Sequence, residues 1–356
     1  MISMIKRFTC ICAILLCSYM TVADTEFRNF IPCWGDFEPD GDVDGADLAE
    51  YISDSTGIAL EDFASDFGRT DCNEAMPPTP LNQFNIGDSI GEGEAADSTI
   101  GEENHETVWS TGYDSDDTVY SLNERFEDTD PEEYYENNAA RDTTFNRAVS
   151  GSVMADFVTQ ANEVVAATDD TPSGKAGMIT ILLGSNDVCA SSLDAMTDPE
   201  LFEMQYRAGL DVLAASEVTK KAYIHVSSIP AIYWLWNAKH NRLWCQLIWF
   251  LVPCENLLDN PDDDCVNTES SLDPDTIYEG DGDNCIRRKK FHAKIRDIYN
   301  PILRDVLQQY IDDGRLINAY FVDIFDIQFV DGDVNDGDCF HPSVEGHELL
   351  SREQWL

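Results

Sequence analysis

Short apolar runs alternate along this chain with longer segments in which apolar residues recur every three or four positions. The short runs predict buried strands, and the periodic segments predict helices. Strands are predicted at residues 83–87, 178–183, 222–227 and 319–324, and the clearest helices at 153–167, 201–216 and 287–310. This alternation favours an α/β fold in which helices cover both faces of a parallel sheet.

The same pattern divides the chain into four parts. Residues 1–23 have a positively charged start, an apolar run at 8–19 and a small-residue end, so they predict a signal peptide and a secreted protein, extracellular or periplasmic. The run is shorter than the ~20 residues of a membrane span, so we expect no stable membrane anchor. An acidic module follows at 24–75, a proline-rich linker at 76–81 and the main domain at 82–356.

Two insertions interrupt the α/β pattern, at residues 97–141 and 231–254. The second is rich in tryptophan and holds Trp234, Trp236, Trp244 and Trp249. Aromatic clusters more often fill cores than bind ligands, so a helix packed on the core is the favoured interpretation. A lid or wall beside a binding site is the alternative.

Cysteine usage supports export. Of the 11 cysteines, Cys10, Cys12 and Cys17 lie in the signal peptide, and the even number that remains suits disulfides formed in an oxidising compartment. Connectivity cannot be deduced from sequence alone, but proximity along the chain suggests three pairs and leaves two cysteines for a fourth. The suggested pairs are Cys33–Cys72, Cys245–Cys254, Cys265–Cys285 and the remaining Cys189–Cys339.

The chain is strongly acidic, with a formal net charge of −46 that becomes −48 once Lys6 and Arg7 leave with the signal peptide. Such a charge repels phosphate backbones and anionic membrane surfaces. We therefore expect no nucleic-acid partner, and we interpret most of the acidic residues as a solvated surface.

Four polar motifs occur along the chain in a fixed order and supply the groups for acyl transfer, and those of Ser89 and Asn186 come just after a predicted strand. Ser89 in Gly-Asp-Ser is the candidate nucleophile, His341 the base, and Asp338 the carboxylate that orients the base. His347 is a competing base, but it has no acidic residue three positions before it. The oxyanion of the intermediate needs donors, which the backbone amides of Ser89 and Gly151 and the side chain of Asn186 would provide.

On these residues the chain resembles the SGNH hydrolases, also called the GDSL esterase/lipase family, over about residues 82–352. The Ser, Gly, Asn and His blocks of that family match Ser89, Gly151, Asn186 and His341, while Ile90 replaces the leucine of its name. The resemblance implies a three-layer α/β/α fold of flavodoxin-like type with a five-stranded parallel sheet. It also implies hydrolysis of acyl esters without a catalytic cofactor.

The acidic module contains oxygen ligands at positions 1, 3, 5, 7, 9 and 12 of a loop, with Gly41 where a calcium loop turns sharply. The predicted Ca²⁺ ligands are Asp36, Glu38, Asp40, Asp42 through its carbonyl, Asp44 and Asp47. The loop resembles an EF-hand loop and one half of a dockerin, but residues 58–72 do not rebuild a second loop. A structural calcium module is therefore favoured over docking to a scaffold. Residues 331–337 could bind a second cation, but their glycine is displaced by one position from the calcium-loop pattern, which favours a plain turn that presents Asp338.

Together these features predict a secreted serine esterase or lipase that hydrolyses carboxylic esters of lipids or acylated carbohydrates through an acyl-enzyme on Ser89. Two alternatives stay open. An acyltransferase would use the same site with an alcohol in place of water. A calcium-dependent binding or scaffold protein would use the N-terminal module and no catalysis.

Overall fold

The computed structural model describes Phe67 and residues 80–97, 100–113, 118–129, 144–171, 173–249, 254 and 263–355. The chain divides into two units, Met1–Glu74 and Ala75–Leu356, and the second unit is described below. The predicted signal peptide, the calcium loop with its ligands, most of the linker and the Cys33–Cys72 pair lie outside the described residues. They stay predictions.

A parallel sheet of four strands organises the domain. The strands β1 Gln83–Gly87, β2 Met178–Leu182, β3 Tyr223–Ser227 and β4 Asn318–Val322 lie side by side in the order β1-β2-β3-β4. Every neighbouring pair is parallel. The four predicted strands are confirmed, β1 with the predicted ends and the others with ends displaced by at most two residues.

The expectation of a fifth strand is wrong for the residues that the structure describes. A segment at 145–149 runs parallel to β1 on its outer edge, but only one pair, Asn85 and Asn146, forms a β-bridge. Backbone hydrogen bonds join this segment to Asn85 and Gly87. The chain turns soon after this segment at Gly151, whose φ is 78°.

Eleven α-helices lie within the described residues, and two of the predicted ones are confirmed with small shifts at their ends. In chain order they are α1 Ser89–Glu92, α2 Leu122–Thr129, α3 Phe157–Ala167, α4 Ser185–Val188, α5 Pro199–Ala215, α6 Ile232–Lys239, α7 Leu243–Ile248, α8 Thr268–Ser271, α9 Asp283–Lys294, α10 Asn300–Asp312 and α11 Val344–Gln354. Short 3₁₀ turns occur at His105–Thr107, Met154–Asp156, Thr168–Asp170, Thr219–Lys221 and Asp331–Asp333. No helix in this part of the chain is long and apolar enough to cross a membrane.

The predicted helix at 287–310 is two helices joined by a π-helical turn. α9 continues into the π turn Ile295–Tyr299, and α10 follows with Pro301 in its first turn. Proline has no N–H to donate, and its ring crowds the carbonyl four residues earlier. The wider π turn accommodates both effects, so the helical course continues without a break.

Separate hydrophobic clusters cover the two faces of the sheet because successive residues of a strand point to opposite sides. Ile179 and Ile181 of β2 belong to the larger cluster, which includes residues of α3 and α5. Met178 and Leu182 of the same strand belong to a second cluster that includes Leu350 of α11. The sheet is therefore packed on both faces, as the apolar character of the strands predicts.

Two of the predicted disulfides are wrong. The structure confirms Cys265–Cys285, but it joins Cys189 to Cys254 and Cys245 to Cys339 in place of Cys245–Cys254 and Cys189–Cys339. Proximity in sequence failed because Cys245 lies on α7, which packs against the loop that carries Cys339. One bridge therefore fixes the tryptophan-rich segment to the end of α4, and the other fixes it to the loop around His341.

Candidate active site

A tight turn at the carboxyl end of β1 places Ser89 at the edge of the sheet. Gly87 permits this turn, since a Cβ there would approach the carbonyl oxygen of Leu182 to 2.9 Å. Asp88 then caps α1, and its Oδ1 accepts a hydrogen bond from Ile90 N at 3.0 Å. Ser89 is the first residue of the helix, so its N–H has no acceptor within the helix.

Ser89, His341 and Asp338 form one hydrogen-bonded chain. Nε2 of His341 is 2.8 Å from Oγ of Ser89, and Nδ1 is 2.7 Å from Oδ2 of Asp338. The other carboxylate oxygen of Asp338 accepts from the backbone amides of Phe340 and His341 at 2.9 and 3.1 Å. Because a carboxylate only accepts, Nδ1 of His341 carries the proton and Nε2 is free to accept one from Ser89.

The charges around His341 strengthen it as a base. Burial alone would lower its pKa, but the hydrogen bond and charge of Asp338, with the charges of Glu94 and Asp88, raise the pKa above the usual value. Burial raises the pKa of Asp88 itself to about 6. The neutral imidazole that can accept a proton is therefore present only towards higher pH.

Hydrogen bonds link the segments that carry the predicted oxyanion donors. Nδ2 of Asn186 donates to the carbonyl of Ser152 at 2.9 Å, which leaves its second N–H for the cavity that Asn186 lines. Gly151 lies between Ser150 and Ser152. Ser150 donates hydrogen bonds to Glu92, the last residue of α1, and to Glu94, which follows the helix. These bonds hold Gly151 between the nucleophile helix and Asn186.

Asp187 is a further residue of this site whose role the sequence did not reveal. Its Oδ2 accepts a hydrogen bond from Met154 N at 2.7 Å, and burial raises its pKa. The contact joins α4 to the turn that follows Gly151. Its place in the Gly-x-Asn-Asp motif was visible, but the partner is 33 positions away and appears only in the fold.

A cavity of about 60 Å³ opens beside Ser89, Asn186 and His341. Its remaining lining is mostly apolar and includes Ile90, Ile232, Leu235, Phe329, Phe340 and Leu350. Ile232 and Leu235 lie on α6, in the tryptophan-rich segment. Most of this segment is packed on the core, as the favoured interpretation predicted, since Trp234, Trp236 and Trp249 are buried, while Trp244 is exposed. It also forms one wall of the cavity.

His347, the competing base, and the acidic stretch at 331–337 make structural contacts and not catalytic ones. His347 is buried, its Nδ1 accepts from Trp109 N at 3.4 Å, and burial lowers its pKa to about 3. Asp331 and Asp336 are 3.2 and 2.6 Å from the ammonium group of Lys239. The stretch at 331–337 is thus a turn held by a buried lysine, and it leads directly into Asp338.

Comparison with known proteins places the chain in a family. The model of GDSL-like lipases and acylhydrolases matches residues 84–353, which contain the serine, glycine, asparagine and histidine blocks described above. Among curated proteins, none matches this chain. The match spans most of the described domain, and by it this chain belongs to the GDSL-like lipase/acylhydrolase family.

Proposed function

We propose that this protein is a secreted serine esterase that hydrolyses carboxylic esters through an acyl-enzyme on Ser89. The observation that carries the proposal is the 2.8 Å contact between Oγ of Ser89 and Nε2 of His341, with Asp338 on the other ring nitrogen. A family of ester hydrolases and an apolar cavity beside the serine support it.

The reaction follows from which atoms can give and take a proton. His341 accepts the hydroxyl proton as Ser89 Oγ attacks the acyl carbon, and Asp338 stabilises the imidazolium that forms. The amides of Ser89 and Gly151 and the side chain of Asn186 stabilise the oxyanion. His341 then gives its proton to the leaving alcohol, and a water activated by the same imidazole releases the acid and restores Ser89.

The surroundings of the site indicate how the substrate is held. The apolar cavity suits the acyl chain of a lipid or of an acylated carbohydrate, because it offers the chain few polar partners. An alcohol acceptor in place of water would make the same site an acyltransferase. Product analysis with and without an added alcohol distinguishes the two reactions.

Export and calcium belong to the proposal as well. The signal-like residues 1–23 and the disulfides suit an oxidising compartment outside the cytoplasm. The acidic loop from Asp36 to Asp47 would hold a structural Ca²⁺ ion, and no step of the reaction passes through it.

A fluorophosphonate probe tests the nucleophile. Such probes mimic the tetrahedral intermediate, so we expect one probe per protein, on Ser89, with loss of p-nitrophenyl butyrate hydrolysis in proportion to labelling. Peptide mass spectrometry locates the adduct. An unlabelled, inactive protein would instead support the alternative of a non-catalytic binding protein.

Replacing Asn186 by alanine removes one proposed oxyanion donor and keeps the nucleophile. We expect kcat for p-nitrophenyl butyrate to fall by about 10²–10³-fold with a small change in KM, because the lost hydrogen bond strengthens only in the transition state. Asn162→Ala is a matched control, since this asparagine lies on the exposed side of α3. A change limited to KM, with kcat unaltered, would contradict the role of Asn186 as an oxyanion donor.

A further inference from the structure

Glu94 lies beside the reactive nitrogen of His341. Its Oε2 is 3.8 Å from Nε2 of His341, the atom that is hydrogen-bonded to Ser89. Glu94 reaches this position because Gly93, whose φ is 73°, ends α1 and turns the chain back towards Ser89. A backbone hydrogen bond of 3.0 Å from Glu94 N to the carbonyl of Ser89 holds this turn.

One oxygen of this carboxylate is engaged, and the other is open. Oε2 accepts a hydrogen bond from the hydroxyl of Ser150 at 2.6 Å, which fixes the side chain. Among the residues that the structure describes, none donates to Oε1, and the Glu94 side chain is 25% exposed. A group brought by the substrate can therefore contact a carboxylate that is already held in place.

The position of Glu94 makes it face the alcohol half of the ester. The leaving oxygen must come within about 3 Å of Nε2 to receive its proton. It then lies no more than about 7 Å from Oε2 of Glu94, given the 3.8 Å between the two protein atoms. Glu94 does not line the apolar cavity proposed to hold the acyl chain. Its charge thus acts on substituents close to the leaving oxygen.

We propose that Glu94 makes this enzyme prefer esters of cationic alcohols and disfavour esters of anionic alcohols. The preferred alcohols are amino alcohols whose protonated or quaternary nitrogen is two carbons from the ester oxygen. This inference rests on the esterase proposed above. Opposite charges a few ångströms apart at a partly exposed site attract, and like charges repel. The net charge of −46 acts in the same direction, because it raises the local concentration of cationic substrates.

Three butyrate esters of nearly equal shape test the proposal: butyrylcholine, its uncharged isostere 3,3-dimethylbutyl butyrate, and the anionic 2-sulfoethyl butyrate. For the wild-type protein we expect kcat/KM to be about tenfold higher for the choline ester than for the isostere, and about tenfold lower for the sulfonate. Glu94→Gln should bring the three values to within about threefold of one another. Glu94→Asp should keep the order.

Controls separate a local effect from a change in total charge. Glu163→Gln removes one charge from the exposed side of α3 and should leave the order of the three esters unchanged. Should Glu94→Gln fail to fold, Glu94→Ala removes the same charge without the amide and should bring the three kcat/KM values to within the same threefold range.

Three results would overturn the proposal: equal kcat/KM values in the wild type, a charge preference that survives Glu94→Gln, or a glucose ester of butyrate that outperforms butyrylcholine. The last would indicate a carbohydrate alcohol recognised by hydrogen bonds. Failure of the esterase proposal looks different, because Ser89 would then not react with the fluorophosphonate and no ester would be hydrolysed.

Discussion

Ser89→Ala should abolish ester hydrolysis, with kcat for p-nitrophenyl butyrate reduced by at least about 10⁴-fold. Without the hydroxyl there is no oxygen to carry the acyl group, and the base at 2.8 Å has no proton to accept. Removal of one oxygen leaves the fold intact, so the thermal unfolding temperature should change by only a few degrees. The measurement is steady-state turnover beside a thermal melt.

A second serine provides the matched control for this change. Ser191 is exposed and does not line the cavity beside Ser89, so Ser191→Ala makes the same chemical change outside that cavity and should keep full activity. The variant Ser89→Ala should also lose its fluorophosphonate labelling. Activity that persists in Ser89→Ala would assign the nucleophile to another residue.

Asp338→Asn should reduce kcat/KM by about 10³–10⁴-fold while the loop keeps its shape. The Oδ1 atom of Asp338 accepts from Phe340 N and His341 N, and an asparagine Oδ1 can do the same. The amide nitrogen then faces Nδ1 of His341 and donates to it. This fixes the imidazole with its proton on Nε2, so it can no longer accept the proton of Ser89.

The pH profile distinguishes this effect from a general loss of structure. Asp338 is the strongest cause that raises the pKa of His341, so the wild-type kcat/KM should fall as pH decreases through a value above the usual histidine range. In Asp338→Asn the residual activity should fall at a lower pH, because the raised pKa is lost. Asp313→Asn, an exposed residue at the end of α10, should show the wild-type profile. An unchanged acid limb in Asp338→Asn would contradict the assigned role.

The sequence alone predicted the parts of the site that depend on neighbours along the chain. Asp338 and His341 meet because they are three residues apart in one loop, and Ser89 is presented because Gly87 and Asp88 turn β1 into a helix. The strands were predicted for the same local reason, since a short, mostly apolar run bounded by turn residues is typical of a buried strand.

Contacts between distant segments were decided only by the tertiary structure. Which cysteine Cys245 joins depends on where α7 packs, and no spacing rule contains that information. Whether the segment at 145–149 forms a single bridge or a fifth strand likewise depends on how far it pairs with β1.

Glu94 shows the same limit within the site. Glu94 is close to Ser89 in sequence. His341, however, lies on a loop 247 positions further along the chain, and only the turn at Gly93 brings the carboxylate to it. Sequence thus determined which chemical groups this protein carries and which of them are locally paired. Folding decided which charges and walls surround them, because packing over long sequence distances sets those positions.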